Sequence, residues 1–376
     1  MEATIGGTRR HLVDVARGQR AQGIDVHLAV ATARDPDFPA DLDALEQAGV
    51  CVTRVPMVRE ISPSADWRAG RSLIGLMKSV RPDVVHTHSS KAGVLGRIAS
   101  VRSGIGLRVH TPHTFAFLFE ALFGRARRAL FRQVETRLSR YTDRVIAVSD
   151  SEAETFASSG VVPPERIRVV KNGVEGARFC DVAACDLTAL ELDPEAPTAA
   201  VVGLLYAAKG QDLALECLTR PGCESLQLLM VGPGESSGLK RLAQTLGVSD
   251  RVRFLGPRRD VPEILQAVDF LLLPSRWEGM PYIVLEAMAS GLPVVSTPVD
   301  GARDLVQDER TGFLAEAIAV DPLSRVLARM CALSTVERRT LGCAGRESVA
   351  DDYSIERMVA GLCQVYEEAL ACGRSR

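Results

Sequence analysis

Two glutamates, Glu278 and Glu286, frame the most informative stretch of the chain, residues 270–293. It reads as an apolar strand ending at Leu273, a loop holding Ser275, Glu278 and Gly279, and an apolar helix over 281–290. Pro281 suits a first helical position, Gly291 a left-handed cap, and Pro293 discourages continuation. Around Ile283, Val284, Leu285, Ala287 and Met288 the helix is apolar on nearly every side, with Glu286 its one charge. A buried carboxylate without a partner is costly. Glu286 therefore either meets a protein donor or faces a cleft and accepts hydrogen bonds from ligand hydroxyls. Glu278 lies just ahead of the helix, whose free amides favour phosphate. Together the pair suits a ligand carrying both hydroxyls and phosphate.

Residues 201–212 form a second such strand and loop, with Gly203, Lys209 and Gly210. A lysine after a glycine-bearing turn can neutralise a diphosphate as a group departs from it; a solvated lysine at a helix start is the plainer alternative. Gly232 and Gly234 follow the next strand, and Gly256 the one after, each a weak signal alone. In the first half, Gly6 and Gly7 precede Thr8, which reads as the N-cap of a helix from Arg9 to Gly23. A glycine pair there lets a ligand approach the backbone, although an ordinary tight turn fits as well. His86, His88, His110 and His113 lie at or just past two strand ends. Zinc would need them to converge without a supporting cysteine or acidic pair, so no metal is expected.

The elements that must hold these residues alternate. Strands are expected at 25–30, 50–55, 83–88, 107–111, 144–148 and 166–170, and again at 198–204, 226–231, 252–255, 270–273 and 294–296, with helices interposed. That rhythm is two α/β domains with parallel sheets. A chain of 376 residues is long for one core and comfortable for two. The expected division is an amino-terminal Rossmann-like domain over 1–176, a linker at 177–197, a second domain over 198–355 and a closing helix at 356–376 that packs back on the first. Ligands of such folds bind at the carboxyl ends of the strands.

The order Ser275, Glu278, Gly279, Pro281, Glu286 resembles the signature of retaining glycosyltransferase family 4, and the resemblance covers essentially the whole chain. It implies the GT-B fold, two Rossmann-like domains facing across a cleft, and a nucleotide-sugar donor linked to UDP or GDP. It implies a ribose contact for Glu286, proximity to the donor sugar or phosphates for Glu278 and Gly279, and a phosphate role for Lys209 beside Gly203. The family's usual arginine after the first glycine is replaced by Leu204. The loop 300–304 also departs from the family's pattern, at Asp300, Arg303 and Asp304. The segments 85–97 and 109–115 resemble members that build surface polysaccharides, which implies that His113 approaches the donor sugar. Gly6 and Gly7 would lie over the donor phosphates. Glu278 is a less favoured covalent nucleophile than same-face substitution assisted by the leaving phosphate. The acceptor would be a glycan or a polyprenyl-linked sugar.

Composition bounds the partners. The 45 basic and 47 acidic side chains nearly cancel, so no global field recruits nucleic acid. Nine scattered cysteines match no zinc or redox spacing and read as cytosolic thiols. No apolar run approaches membrane-spanning length, and no leader pattern is seen. Between Phe117 and Arg144, six arginines interleave with Leu122, Phe123, Leu130 and Phe131. This is either an ordinary packed helix or one that touches anionic lipid at the inner face of the plasma membrane.

Two rival functions share these features: a nucleotide-sugar 2-epimerase, and a non-catalytic nucleotide-sugar-binding protein, for which Leu204 is the best support. No cofactor is expected beyond the donor itself. Only Met1 to Ile5 precede Gly6, so the first strand of the amino-terminal sheet is expected to be missing or a stub beside a groove.

Overall fold

The computed structural model describes residues 6–32, 38–58, 60–180 and 182–373. The chain divides into two compact units, one of Met1–Asn172 with Ile355–Arg376 and the other of Gly173–Ser354. The first alternates α1 (Gly7–Ala21), β1 (His27–Val30), α2 (Phe38–Gln47), β2 (Cys51–Arg54), α3 (Pro63–Val80), β3 (Val84–His88), α4 (Ser90–Ser103), β4 (Leu107–Thr111), α5 (Arg125–Ser139), β5 (Arg144–Ala147), α6 (Asp150–Ser159) and β6 (Ile167–Val169). Its strands are parallel, in a pair β1-β2 and a sheet β3-β4-β5-β6. The expected stub of a first strand falls on residues outside those described.

The second unit contains β7 (Thr198–Val202), α7 (Gln211–Cys217), β8 (Gln227–Val231), α8 (Ser237–Thr245), β9 (Val252–Gly256), α9 (Val261–Ala267), β10 (Phe270–Leu273), α10 (Tyr282–Ala289), β11 (Val294–Ser296), α11 (Ala302–Leu305), β12 (Gly312–Leu314), α12 (Val320–Ala332) and α13 (Thr335–Ala350). The chain then returns to the first unit as α14 (Ile355–Gly373). Its parallel sheet runs β12-β11-β10-β7-β8-β9. Every residue of β8 and β10 is buried, as expected of strands covered by helices on both faces. Residues expected as a linker pack within this unit instead: Cys185 N–H donates to Glu263 O, and Gln266 Nε2 donates to Phe179 O.

Several local expectations shift. Thr8 is not the N-cap of α1; Gly6 takes that place with φ 91°. Pro281 caps α10 from outside the helix, with ψ 112°, rather than occupying its first turn. The α10 helix is apolar on every side but that of Glu286 because the rest of it is enclosed. At its end α13 comes so close that a Cβ on Gly342 would sit 1.8 Å from Gly291 O. The three-residue β12 carried no strand signal, since it is short and begins with glycine.

Candidate functional site

In the second unit the loops after β7, β8, β10 and β11 lock together through their glycines. A Cβ on Gly232 would stand 2.0 Å from Gly203 O, one on Gly210 1.9 Å from Pro274 O, and one on Gly301 2.5 Å from Gly279 O. Gly210 also has φ +65°, a backbone that side-chain-bearing residues adopt at a cost. Glycine is thus required here for backbone-to-backbone approach as well as for turning. Arg276 joins two of these loops: its guanidinium donates to both carboxylate oxygens of Asp212, at 2.8 and 2.6 Å, and to Ala207 O at 2.7 Å.

Within that frame Lys209 Nζ donates to Glu278 Oε1 at 2.6 Å, and the wholly buried Ser275 donates its hydroxyl to the same oxygen at 2.7 Å. The two charged side chains are 22% and 12% exposed, enough shielding to make the pair strong and enough access for an anion to reach it. Burial lowers the Lys209 pKa, but the charge and hydrogen bond of Glu278, helped by Tyr206, outweigh it and leave it raised. Lys209 is therefore a cation at every physiological pH. Thr297 Oγ1 donates to Ser275 O at 2.5 Å and holds the serine in place. Glu286 is the one residue of Tyr282–Ala289 that is not fully buried, so its side chain lies on the helix's single accessible stripe. Leu204 contributes only its carbonyl, which accepts from Gln211 Nε2 at 3.0 Å. Arg303 donates to Asp300 Oδ1 at 2.6 Å, an ion pair within that divergent loop.

In the first unit the sequence-expected histidines separate into two kinds. His110 is structural: its Nδ1 lies 2.9 Å from Thr87 Oγ1, and its ring fills the space where a Cβ on Gly93 would go. His86 is held at both nitrogens, by Tyr366 OH at 2.6 Å and Thr111 Oγ1 at 2.8 Å. His88 and His113 meet, with Nδ1 of the first 3.3 Å from Nε2 of the second. His11, which sequence reasoning passed over, joins them from α1, its ring 4.8 Å from that of His113 and edge-on to it. The second turn of α1 is thereby brought beside His113. Among the described residues His11, His88 and His113 have ring nitrogens all within 4.8 Å of one another. Burial pushes the pKa of His11 down to about 4, against the opposing pull of Asn172, and that of His86 down to about 3, aided by His11. Burial first, then neighbouring rings, also holds His88 and His113 well below the ordinary range. All four rings are neutral at pH 7.

His113 and Thr114 have φ of 51° and 74°, a left-handed pair of the kind that concentrates at functional sites. Glu152, also missed in the sequence, secures that turn. Its carboxylate accepts from Thr114 N–H and Val148 N–H, both at 2.8 Å.

Comparison with known proteins identifies the family and the fold. Residues 5–178 match the family described as Glycosyltransferase Family 4, and residues 196–332 match Glycosyl transferases group 1. The chain is 32% identical over 319 residues to the UDP-Gal:alpha-D-GlcNAc-diphosphoundecaprenol alpha-1,3-galactosyltransferase of Escherichia coli, covering 82% of this chain and 81% of the relative. It is 32% identical over 318 residues to the D-inositol 3-phosphate glycosyltransferase of Salinispora tropica, covering 78% and 65%. In fold it superposes on Anabaena HepE in complex with UDP-glucose with a TM-score of 0.80 at 21% identity, each chain covered to 97%. It also superposes on WaaG, a glycosyltransferase involved in lipopolysaccharide biosynthesis, with a TM-score of 0.73 at 20% identity, covering 96% and 97%. These matches favour glycosyl transfer over epimerisation or ligand binding alone. With both halves matched and a relative aligned along most of its length, the chain belongs to glycosyltransferase family 4 and has the GT-B fold.

Proposed function

We propose that this protein transfers a sugar from a UDP- or GDP-linked donor to a polyprenyl-diphosphate-linked or glycan acceptor, with retention at the anomeric carbon, in surface polysaccharide synthesis. The observation that carries the reading is the largely buried but still reachable Lys209–Glu278 pair set among four interlocked glycine loops. The donor diphosphate competes with Glu278 for Lys209, and the amides around Gly203 and Gly279 take its remaining oxygens. Glu286 accepts from the ribose hydroxyls, and Glu278, once released, turns to the sugar. The family resemblance supports a phosphate role for Gly6 and Gly7 and a sugar role for His113. The bond from the anomeric carbon to the diphosphate oxygen breaks with its electrons passing to the diphosphate, which Lys209 stabilises. The acceptor hydroxyl adds on the same face and gives its proton to a departing phosphate oxygen. Lys209 and the amides supply the charge stabilisation, so the reaction proceeds without metal or other cofactor. The relative's use of UDP-Gal and a diphosphoundecaprenol acceptor supports this choice of substrates.

No helix among the described residues is long and apolar enough to cross a membrane. On α5, Leu130 is 52% exposed among arginines, and Arg127 stacks over the rings of Phe123 and Phe131 at 4.8 and 5.5 Å. That composition supports peripheral contact with anionic lipid at the cytoplasmic face, where such an acceptor is presented.

The test is to incubate the purified protein, in excess chelator, with a panel of UDP- and GDP-sugars, with and without a polyprenyl-diphosphate sugar. Acceptor-dependent nucleotide release and a product with the donor's anomeric configuration are expected. Epimerised sugar without transfer, or no release from any donor, would overturn the proposal.

A further inference from the structure

The histidines of the first unit form an ordered chain, and that order decides what His113 offers to a substrate. We infer that His88 is a positioning residue: its Nδ1 accepts the Nε2 proton of His113, so that His113 presents a bare Nδ1 as a hydrogen-bond acceptor for a sugar hydroxyl. The assignment of that hydroxyl rests on the donor-sugar role given to His113 above.

Each ring is fixed by the one before it. Gln19 Nε2 donates to Tyr366 OH at 3.1 Å, and among the described residues the phenol's own proton finds its acceptor in His86 Nδ1 at 2.6 Å. His86 Nε2 then carries its proton toward Thr111 Oγ1 at 2.8 Å. With both nitrogens engaged, the His86 ring cannot turn, and it lies 4.1 Å from the His88 ring, tilted by 38°, which confines that plane in turn. On the other side His11 Nδ1 donates to Asn172 Oδ1 at 3.0 Å, because an amide oxygen only accepts, and the His11 ring stands edge-on to His113 at 78°.

The ring planes of His88 and His113 are nearly parallel, 22° apart with centroids 5.5 Å from one another, and the two share one hydrogen bond of 3.3 Å. Two neutral imidazoles in such a bond must offer one N–H and one lone pair. If His88 Nδ1 donated, both rings would carry the proton on Nδ1. In the reverse arrangement both carry it on Nε2, the tautomer that the neutral histidine side chain favours. His113 is then oriented by His88 at Nε2 and by its own backbone, where φ is 51° and Glu152 holds the following amide. Among the described residues no partner takes the lone pair at His113 Nδ1, which leaves it one direction in which to act.

Labelling the full-length protein with nitrogen-15 histidine and reading two-bond nitrogen–proton correlations, with His113→Ala to identify the signal, shows which His113 nitrogen bears the proton. Protonated Nε2 and bare Nδ1 are expected in the protein without substrate. A proton on Nδ1 would overturn the inference, and this readout does not depend on the donor assignment. In turnover, His88→Leu should lower kcat about 10- to 100-fold, the usual cost of losing an orienting partner, with KM for the donor changed far less. His88→Asn, whose amide oxygen can stand near the place of Nδ1, should recover most of it. Wild-type kcat in His88→Leu would defeat the positioning role. Full activity in His113→Ala would remove the substrate assignment and leave the tautomer result standing. Loss of activity on chelation, restored by Zn2+, would overturn the hydrogen-bond account in favour of a metal held by His11, His88 and His113.

Discussion

Replacing Lys209 by Met deletes the ammonium while keeping most of the apolar stem, and it should separate stability from catalysis. In the folded protein Glu278 Oε1 accepts from Lys209 at 2.6 Å and from Ser275 at 2.7 Å, in a setting where the carboxylate is only 12% exposed. Without the lysine, Glu278 keeps one neutral donor and loses its counter-ion. Leaving a largely buried charged group without its counter-ion costs roughly 3–5 kcal/mol. The catalytic loss has a different origin. A preorganised group aimed at developing charge is worth about 2.7–4 kcal/mol, or roughly 10²- to 10³-fold in kcat. Adding Glu278→Gln removes the stranded charge, so the double variant should regain most of the lost stability, read as the urea midpoint of the second unit. Its turnover, read as nucleotide release at saturating donor, should stay low. If Lys209→Met kept wild-type turnover, or if neutralising Glu278 restored activity along with stability, the assignment of Lys209 to the leaving diphosphate would be wrong.

The remaining expectations are simpler to test. Glu286→Ala should weaken donor binding by about 1.5–3 kcal/mol, the worth of hydrogen bonds to a charged group, as measured by calorimetry with the native donor; unchanged affinity would remove it from the site. Leu204→Arg adds a cation beside Gly203 and should leave turnover unchanged or raise it, while a large loss would show that the pocket already has its full charge. Gly210→Ala forces a Cβ to within 1.9 Å of Pro274 O at φ +65° and should lower the melting temperature and the activity together, a coupling absent if the loops are independent. The first unit should weaken as pH falls. His11 and His86 titrate in the folded state at about 4 and about 3, below the unfolded value near 6.5, so the unfolded chain binds protons first. Their contribution is complete above about pH 6.5 and is lost toward the folded values, at up to ~1.4 kcal/mol per pH unit for each. His86→Gln should flatten the dependence of the melting temperature between pH 7.5 and 5, and a wild-type curve already flat would refute the linkage.

Much of this was legible in the residues themselves. Strands β4, β10 and β11 stand where their β-branched and apolar runs end, because buried parallel strands need apolar side chains on both faces. Glu278, Glu286, Lys209 and their glycines declare themselves by types that are costly inside an apolar frame. What escaped was what depends on distant packing. His11 is one ordinary position of an amphipathic helix until α1 is laid against the end of β3, and Glu152 looks like a first-turn acid until its carboxylate is seen under Thr114. The four strand-end histidines are alike in sequence, and only their neighbours make His86 and His110 structural and set the half-buried His113 in a left-handed turn against His88. The apparent linker was misleading because its Asp and Pro residues mark irregular backbone, which can be packed as tightly as a helix.

The return of α14 to the first unit sets an order of assembly on the ribosome. Met358, Leu362 and Val365 complete a cluster with Val15, Val109, Ile146 and Val170, so the first unit lacks part of its core until the last helix is made. The intervening unit is contiguous and can close alone. At 5–20 residues per second, the roughly 180 residues from Gly173 to Ser354 occupy the ribosome for about ten to forty seconds. During that interval the apolar faces of Val15, Val109 and Ile146 await their cover, and the half of the protein synthesised first is the half that finishes folding last.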